Sequence, residues 1–251
     1  VTPEAQVLIL SAFLVFCRIG ACLMVLPGFS SLRIPAHIRL FVAIAIAFAV
    51  SPRLLPDIMP LVRGASDDLR IAMMFGELLN GLLIGLLGRV FMIALQFSGA
   101  VIANAIGMGQ ALGVPIEGHE ADPALVSLIT LTATVLIFAL NLHAEIVHAL
   151  LASYRAMPVE LGFSIRTGLT SLVDNLDETF HLCLRIASPF VVYAVIVNFA
   201  VGLANKMTPQ IPIYFISLPF VLAGGLVLLG FSIGDYLTLF IEGFRTWVIN
   251  G

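Results

Sequence analysis

Charge is what this chain has least of. Only 11% of its 251 residues are charged against 60% hydrophobic, too little polar surface to cover a water-soluble globule of this size. Membrane association is the consequence. Lysine is nearly absent: Lys206 stands alone, and the arginines are scattered through loops and helices, so no cluster of positive charge fixes an orientation across the bilayer. With a net charge of −3 and no basic run interleaved with aromatics, a nucleic-acid surface is excluded. Cysteine is also sparse, with three residues and no paired framework. Cys17 and Cys22 lie five apart on one expected helix and point to different faces, and Cys183 is alone, so all three read as buried free thiols. The opening Val1-Thr2-Pro3-Glu4-Ala5-Gln6 has no positive n-region, and the first apolar run reads as an uncleaved membrane segment.

Constellations that carry bond chemistry are missing too. His143, Glu145 and His148 resemble a zinc helix, but such a helix needs histidines four apart, and these are five apart. His181 and Cys183 have no further ligands nearby in sequence. Gly107-Met108-Gly109 with Gly113 follows a helical segment and departs from the spacing of a phosphate-binding loop. No Ser/His/Asp or paired-carboxylate arrangement can be argued. The chain is therefore expected to be no enzyme and to carry neither cofactor nor metal.

Apolar runs are what is present. They cover Val7 to Leu26, Ile38 to Val50, Ile71 to Ala105, Ala124 to Leu151, Leu182 to Ala204 and Ile213 to Phe231, several near the roughly 20 residues that a spanning helix needs. Tyr236 to Ile249 mixes apolar residues with Asp235, Glu242 and Arg245 and reads as a separate amphipathic helix. Pro52, Pro56 and Pro60 are expected to punctuate a wet connection, and Asp67 or Asp68 to cap the long helix that follows. Pro189 is expected to kink a later helix, and Pro209, Pro212 and Pro219 to break the turn and helix beyond it. A fourth helix is expected to run from Asp122-Pro123 to between Tyr154 and Pro158.

The most informative segment is the proline-free one. Glu77, Gly81, Gly85, Gly88, Met92, Gln96, Gly99 and Ala103 recur at steps of three and four, forming one stripe too small or too polar to prefer lipid. A glycine-rich edge lets helix backbones approach closely, which in an apolar medium replaces the missing hydrophobic drive. If Asp68 to Ile106 is one helix it runs about 58 Å, roughly twice the hydrocarbon core. The loop after it, Gly107 to Pro123, is the least regular part of the chain, yet it is apolar at Met108, Ala111, Leu112, Val114 and Ile116. Ionisable residues also sit inside apolar runs, namely Arg18, Glu77, Arg89, Glu145 and Arg185; they are expected to pair across subunits or to lie outside the bilayer.

Three stretches together resemble the FliR family of flagellar type III export gates, whose injectisome counterparts are called SctT. The first runs from Ser98 through Ala103-Asn104-Ala105-Ile106-Gly107-Met108-Gly109 to Asp122-Pro123; the second is Asn141-Leu142-His143 through Tyr154 to Met157-Pro158; the third is Asn205-Lys206-Met207-Thr208-Pro209-Gln210 with Pro219 beyond it. Leu142 stands where glycine is common, Lys206 where arginine is common, and the usual plug aromatics are absent, Gln110 and Leu112 standing in their neighbourhood.

The resemblance implies an all-α, hydrophobic multi-helix export-gate subunit built of kinked helical hairpins, with part of it lifted out of the bilayer plane. On this basis residues 1–180 are FliP-like and include the gate loop 107–123, while 181–251 are a FliQ-like hairpin with the C-terminal amphipathic helix. Met108, Gly109, Gln110, Ala111, Leu112, Gly113 and Val114 are assigned to the channel plug. Gly81, Gly85, Gly88, Gly99 and Ala103, with Pro209 and Gln210, are assigned to packing against other subunits. The implied partners are FliP and FliQ, with FlhB, rod proteins, unfolded export substrates and membrane lipid. The implied location is the bacterial inner membrane, in the flagellar basal body. Two other readings stay open. One is a small-solute transporter that uses the helices broken at Pro189 and Pro219 with Glu77 or Glu145 as coupling carboxylate. The other is a scaffold subunit without a moving part.

Overall fold

The computed structural model describes residues 2–29, 34–108 and 124–250. Among them are seven α-helices, one 3-10 turn and no strand. Helix α1 is Pro3–Val25, α2 Ala36–Gly64, α3 Asp67–Ala105, α4 Ala124–Ala139, α5 Leu142–Ala156, α6 Ile165–Met207 and α7 Ile213–Asn250. Five of these, α1, α2, α3, α6 and α7, are long and apolar enough to cross a membrane, and α4 with α5 forms a broken sixth candidate. The composition predicts membrane association and the resemblance an all-α fold, and these helices fit both.

Contacts divide the chain into two interleaved units. One takes the chain up to Val90, residues 140–176 and the end of α7 from Val248; the other takes Phe91–Ala139 and Asp177–Trp247. In the first unit, α1 opens with proline at its first helical position, where a missing N–H is harmless, and packs along α2. Leu14, Val15, Ile19, Cys22 and Leu23 are among the buried residues of α1, and Ala43, Ala47, Leu54, Ile58 and Val62 among those of α2.

Pro52, Pro56 and Pro60 do not interrupt a connection as expected; they lie inside α2. Their spacing of four explains this. Each proline removes the hydrogen bond to the carbonyl four residues earlier, so the lost bonds, at Phe48, Pro52 and Pro56, line up on one side of the helix. All three prolines are exposed there, while Ser51, Leu54 and Ile58 carry the buried face. Ser51 Oγ donates to the Ala47 carbonyl at 2.6 Å. Helix α3 is continuous over 39 residues, or about 58 Å. Asp67 and Asp68 sit within its first turn rather than at the cap, and Asp67 accepts from Arg70 at 2.8 Å.

The expected fourth helix is two helices. Asn141 takes a left-handed backbone (φ 58°, ψ 19°), which stops the helix at Ala139 and starts a new one at Leu142. Asparagine tolerates that conformation better than other residues with a Cβ. In the second unit, Tyr236 to Ile249 is not a separate element but the end of α7. Tyr236, Phe240, Phe244 and Val248, four apart, are buried, while Asp235, Glu242 and Arg245 are exposed. The amphipathic face is as expected and only the break before it is missing. Phe91 meets Phe244 edge-on at 5.8 Å between centroids and Trp247 at 5.5 Å. Ser98 and Tyr236 hydroxyls converge on the Leu95 carbonyl at 2.9 and 3.1 Å, and the Cys183 thiol donates to Ala94 at 3.0 Å. All three cysteines are buried free thiols. Pro189 and Pro219 lie within α6 and α7, and Pro209 and Pro212 fall at the turn between those helices.

Candidate functional site

The first unit is organised around one arginine. Arg18, in the apolar middle of α1, is wholly buried, and Glu77 on α3 is 1% exposed. Two charges in an apolar interior are costly unless paired with good geometry and with their remaining groups satisfied. Both conditions are met. Arg18 Nε donates to Glu77 Oε2 at 2.7 Å and Nη2 to Oε1 at 2.6 Å, the two-pronged match of planar guanidinium to carboxylate. Nη2 also donates to the Met157 carbonyl at 2.8 Å and Nη1 to Ser153 Oγ at 3.2 Å. The Ser153 hydroxyl in turn donates to Leu150 at 2.7 Å. The guanidinium carbon lies 3.9 Å from the centre of the Tyr154 ring, whose negative face suits a cation. One side chain thus ties α1, α3, α5 and the turn after α5 together.

Glycine makes that pairing reachable. Gly81, one turn beyond Glu77, lies against α1 so closely that a Cβ there would overlap the Arg18 carbonyl oxygen and sit 2.8 Å from its carbonyl carbon. At Gly85 a Cβ would stand 2.7 Å from the Cys22 carbonyl oxygen and 3.1 Å from Cys22 Cα. Two steps of four on α3 thus meet one step of four on α1, and the backbones touch where side chains would hold them apart.

These neighbours correct one expectation. Gly81 and Gly85, assigned to other subunits, are filled by the chain's own α1, and Gly99 rests on Val126 and Ile129 of α4. Close approach is present, but the helices approaching are internal. Gly88 and Ala103 are buried as well, whereas Gln96 is exposed. At 100° per residue Gln96 falls about 100° round the helix from Glu77, at the rim of the stripe. Pro209 and Gln210 are exposed in the turn between α6 and α7. Arg18 and Glu77 likewise pair within the chain rather than across subunits, while Arg89, Glu145 and Arg185 are exposed.

At the C-terminal end of α3, Ile106 N donates to the Ile102 carbonyl at 3.0 Å and Gly107 N to Asn104 at 3.1 Å. Gly107 has a φ of +82°, the left-handed stop that glycine adopts without strain. Ile106 is buried, and a Cβ on Gly225 would come within 2.6 Å of its Cγ2. Of the assigned plug residues, Met108 is half-buried; Gly109, Gln110, Ala111, Leu112, Gly113 and Val114 lie outside the described residues. Sequence reasoning missed Ser153, Tyr154 and the Met157 carbonyl as partners of Arg18. They stand 135 or more residues away along the chain, and no spacing signals a contact between them.

A charge-clasped, glycine-packed bundle of apolar helices with no assembled catalytic group in the clasp defines a helical membrane protein. Its relatives narrow the class. Residues 9–247 match the family model of bacterial export proteins, family 1. The flagellar biosynthetic protein FliR of Caulobacter vibrioides is 28% identical over 236 residues, covering 93% of this chain and 92% of the relative. FliR of Aquifex aeolicus is 28% identical over 225 residues (90% and 86%), and FliR of Escherichia coli K12 is 24% identical over 212 (84% and 80%). The chain belongs to this family of bacterial export proteins, the FliR family.

Proposed function

We propose that the chain is a subunit of the flagellar type III protein export gate, forming with FliP and FliQ copies the channel entrance through which unfolded flagellar proteins leave the cell. The observation that carries this reading is similarity to flagellar biosynthetic FliR proteins along more than nine-tenths of the chain. On this reading the protein sits in the bacterial inner membrane, within the flagellar basal body and beside FlhB and rod proteins. Residues 1–180 are FliP-like and 181–251 FliQ-like, with part of the subunit raised above the bilayer plane. An α3 about twice as long as the hydrocarbon core fits such a position.

The mechanism is gating without bond chemistry. The segment from Met108 to Val114 closes the lumen at rest, and substrate engagement displaces it. The Arg18 clasp and the Gly81 and Gly85 contacts hold the near half of α3 against α1. Partner subunits meet other surfaces, namely the exposed apolar faces of α6 and α7 and the turn carrying Pro209 and Gln210. The transporter reading loses one of its two candidate carboxylates, because both oxygens of Glu77 are held by Arg18.

Deleting Gly109 to Glu117 tests the gate. The inner membrane should become leaky to small solutes while the subunit still co-purifies with its partners on co-expression and native mass measurement. Unchanged conductance would remove the loop from the gate, and intact export without leak would make the chain a scaffold.

A further inference from the structure

In the second unit the end of α3 is seated on α7 at two adjacent glycines, Gly224 and Gly225. Consecutive helical residues point about 100° apart, so the pair can admit two different neighbours. Gly225 admits Ile106: a Cβ there would overlap the Ile106 Cβ and stand 2.6 Å from its Cγ2 and 3.1 Å from its Cα. Gly224 admits Tyr193 of α6, whose hydroxyl oxygen lies 2.7 Å from where a Cβ would be and donates to the Val221 carbonyl at 2.7 Å. Gly107, whose left-handed backbone ends α3, has Val221 Cγ1 and Leu218 Cδ1 at 3.9 and 4.0 Å from its own Cβ position. Leu218, Val221 and Gly225 recur at steps of three and four, so one face of α7 carries the whole contact with α3.

The two neighbours are held differently. Ile106 presents its Cβ and backbone to Gly225, and neither can turn aside, whereas Tyr193 presents the far end of a side chain fixed by one hydrogen bond. Helix α7 is weak at the same place. Pro219 removes the donor to the Phe215 carbonyl, and each glycine in a helix interior lowers its stability, so bending is cheapest between Pro219 and Gly225. We propose that Ile106, Gly225 and Tyr193 are positioning residues of the gate: they seat the start of the segment from Met108 onward while the α6–α7 hairpin is at rest, and displacement of that hairpin by a docked subunit unseats Ile106. This rests on the gate reading given above. Tyr193 makes α6 and α7 move together, and the Gly225 seat passes the movement to the end of α3.

The test uses cells in which the full chain is co-expressed with its partner subunits, with resting leak of a small solute across the inner membrane and native mass of the assembly measured in parallel. Gly225→Ala should raise the leak about tenfold, the effect of one strained contact in a packed core, with the assembly intact. Tyr193→Phe, which removes a hydrogen bond and introduces no clash, should raise it about threefold. Adding Ile106→Gly to Gly225→Ala takes away the Cβ and Cγ2 that the new methyl meets, and should return the leak to that of Ile106→Gly alone. Spin labels on Met108→Cys and Leu218→Cys, with the three buried native thiols left in place, should report a short distance that Gly225→Ala lengthens and broadens. A tight membrane in Gly225→Ala where deletion of Gly109 to Glu117 leaks, or an unchanged label distance, would overturn the seat and leave the gate standing. If Gly225→Ala does not assemble, Tyr193→Phe decides, and a tight membrane there overturns the seat. A deletion that does not leak would instead overturn the gate reading and the positioning role with it.

Discussion

Replacing Glu77 by leucine strands the Arg18 guanidinium in a place where water does not reach. Two of its four hydrogen bonds disappear, leaving only Ser153 Oγ and the Met157 carbonyl to answer a full positive charge. Breaking one side of a buried pair costs about 3–5 kcal/mol, and Arg18→Met, which strands the carboxylate instead, falls in the same range. Replacing both residues together removes the stranded charge. The main remaining debt is then the Met157 carbonyl without its donor, about 1–2 kcal/mol, since the Ser153 hydroxyl keeps its bond to Leu150. The double variant should therefore be more stable than either single one, with a coupling of about 3 kcal/mol or more, at the top of the range for touching residues. Reversible unfolding in mixed detergent micelles, followed by circular dichroism, measures all four corners of the cycle. Exchanging the charges (Arg18→Glu with Glu77→Arg) should not rescue stability, because a carboxylate on α1 would face the Met157 carbonyl and the negative face of Tyr154. Single costs below about 1 kcal/mol, additive costs, or full rescue by the exchange would refute the clasp.

Two glycines of the same stripe should respond in opposite directions. Gly81→Ala pushes α3 off the α1 backbone and should cost about 1–3 kcal/mol, whereas Gly99→Ala places its methyl 3.6–3.7 Å from Val126 and Ile129 and should gain about 0.5–1 kcal/mol; equal effects would refute the packing. At the break between α4 and α5, Asn141→Gly should be close to neutral and Asn141→Val should cost about 1–2 kcal/mol, as read from unfolding midpoints; an innocuous valine would mean that the left-handed turn is not required.

The helices themselves were readable because their determinants are local. The stripe from Glu77 to Ala103 reports its own period, and the absence of proline between Pro60 and Pro115 lets α3 run uninterrupted. Proline in α2 misled for the same reason. One proline argues for a break, but three at steps of four confine their lost bonds to an exposed side and leave the buried face of the helix intact. Asn141 carried a signal too faint to read, since asparagine is common where backbones stay ordinary. Which helix fills the glycine stripe was not legible at all. Small side chains announce a close neighbour without saying whose it is, and Arg18 and Glu77 were each conspicuous without any mark of belonging together. The same holds for Ser153, Tyr154 and Met157, brought to Arg18 by the fold from more than half the chain away.

The spacing of the clasp also sets a problem for biosynthesis. Arg18 leaves the ribosome 59 residues ahead of Glu77 and 135 ahead of Ser153. At 5–20 residues per second, the first gap lasts about 3–12 s. During that interval α1 carries an unanswered guanidinium near its middle, a penalty of about 2.5–3.5 kcal/mol against entering lipid at the insertion machinery. That penalty is comparable to the gain of about 3–7 kcal/mol from the eleven Leu, Ile, Phe and Val residues of α1, so the insertion of α1 is marginal until α3 brings Glu77 to the arginine.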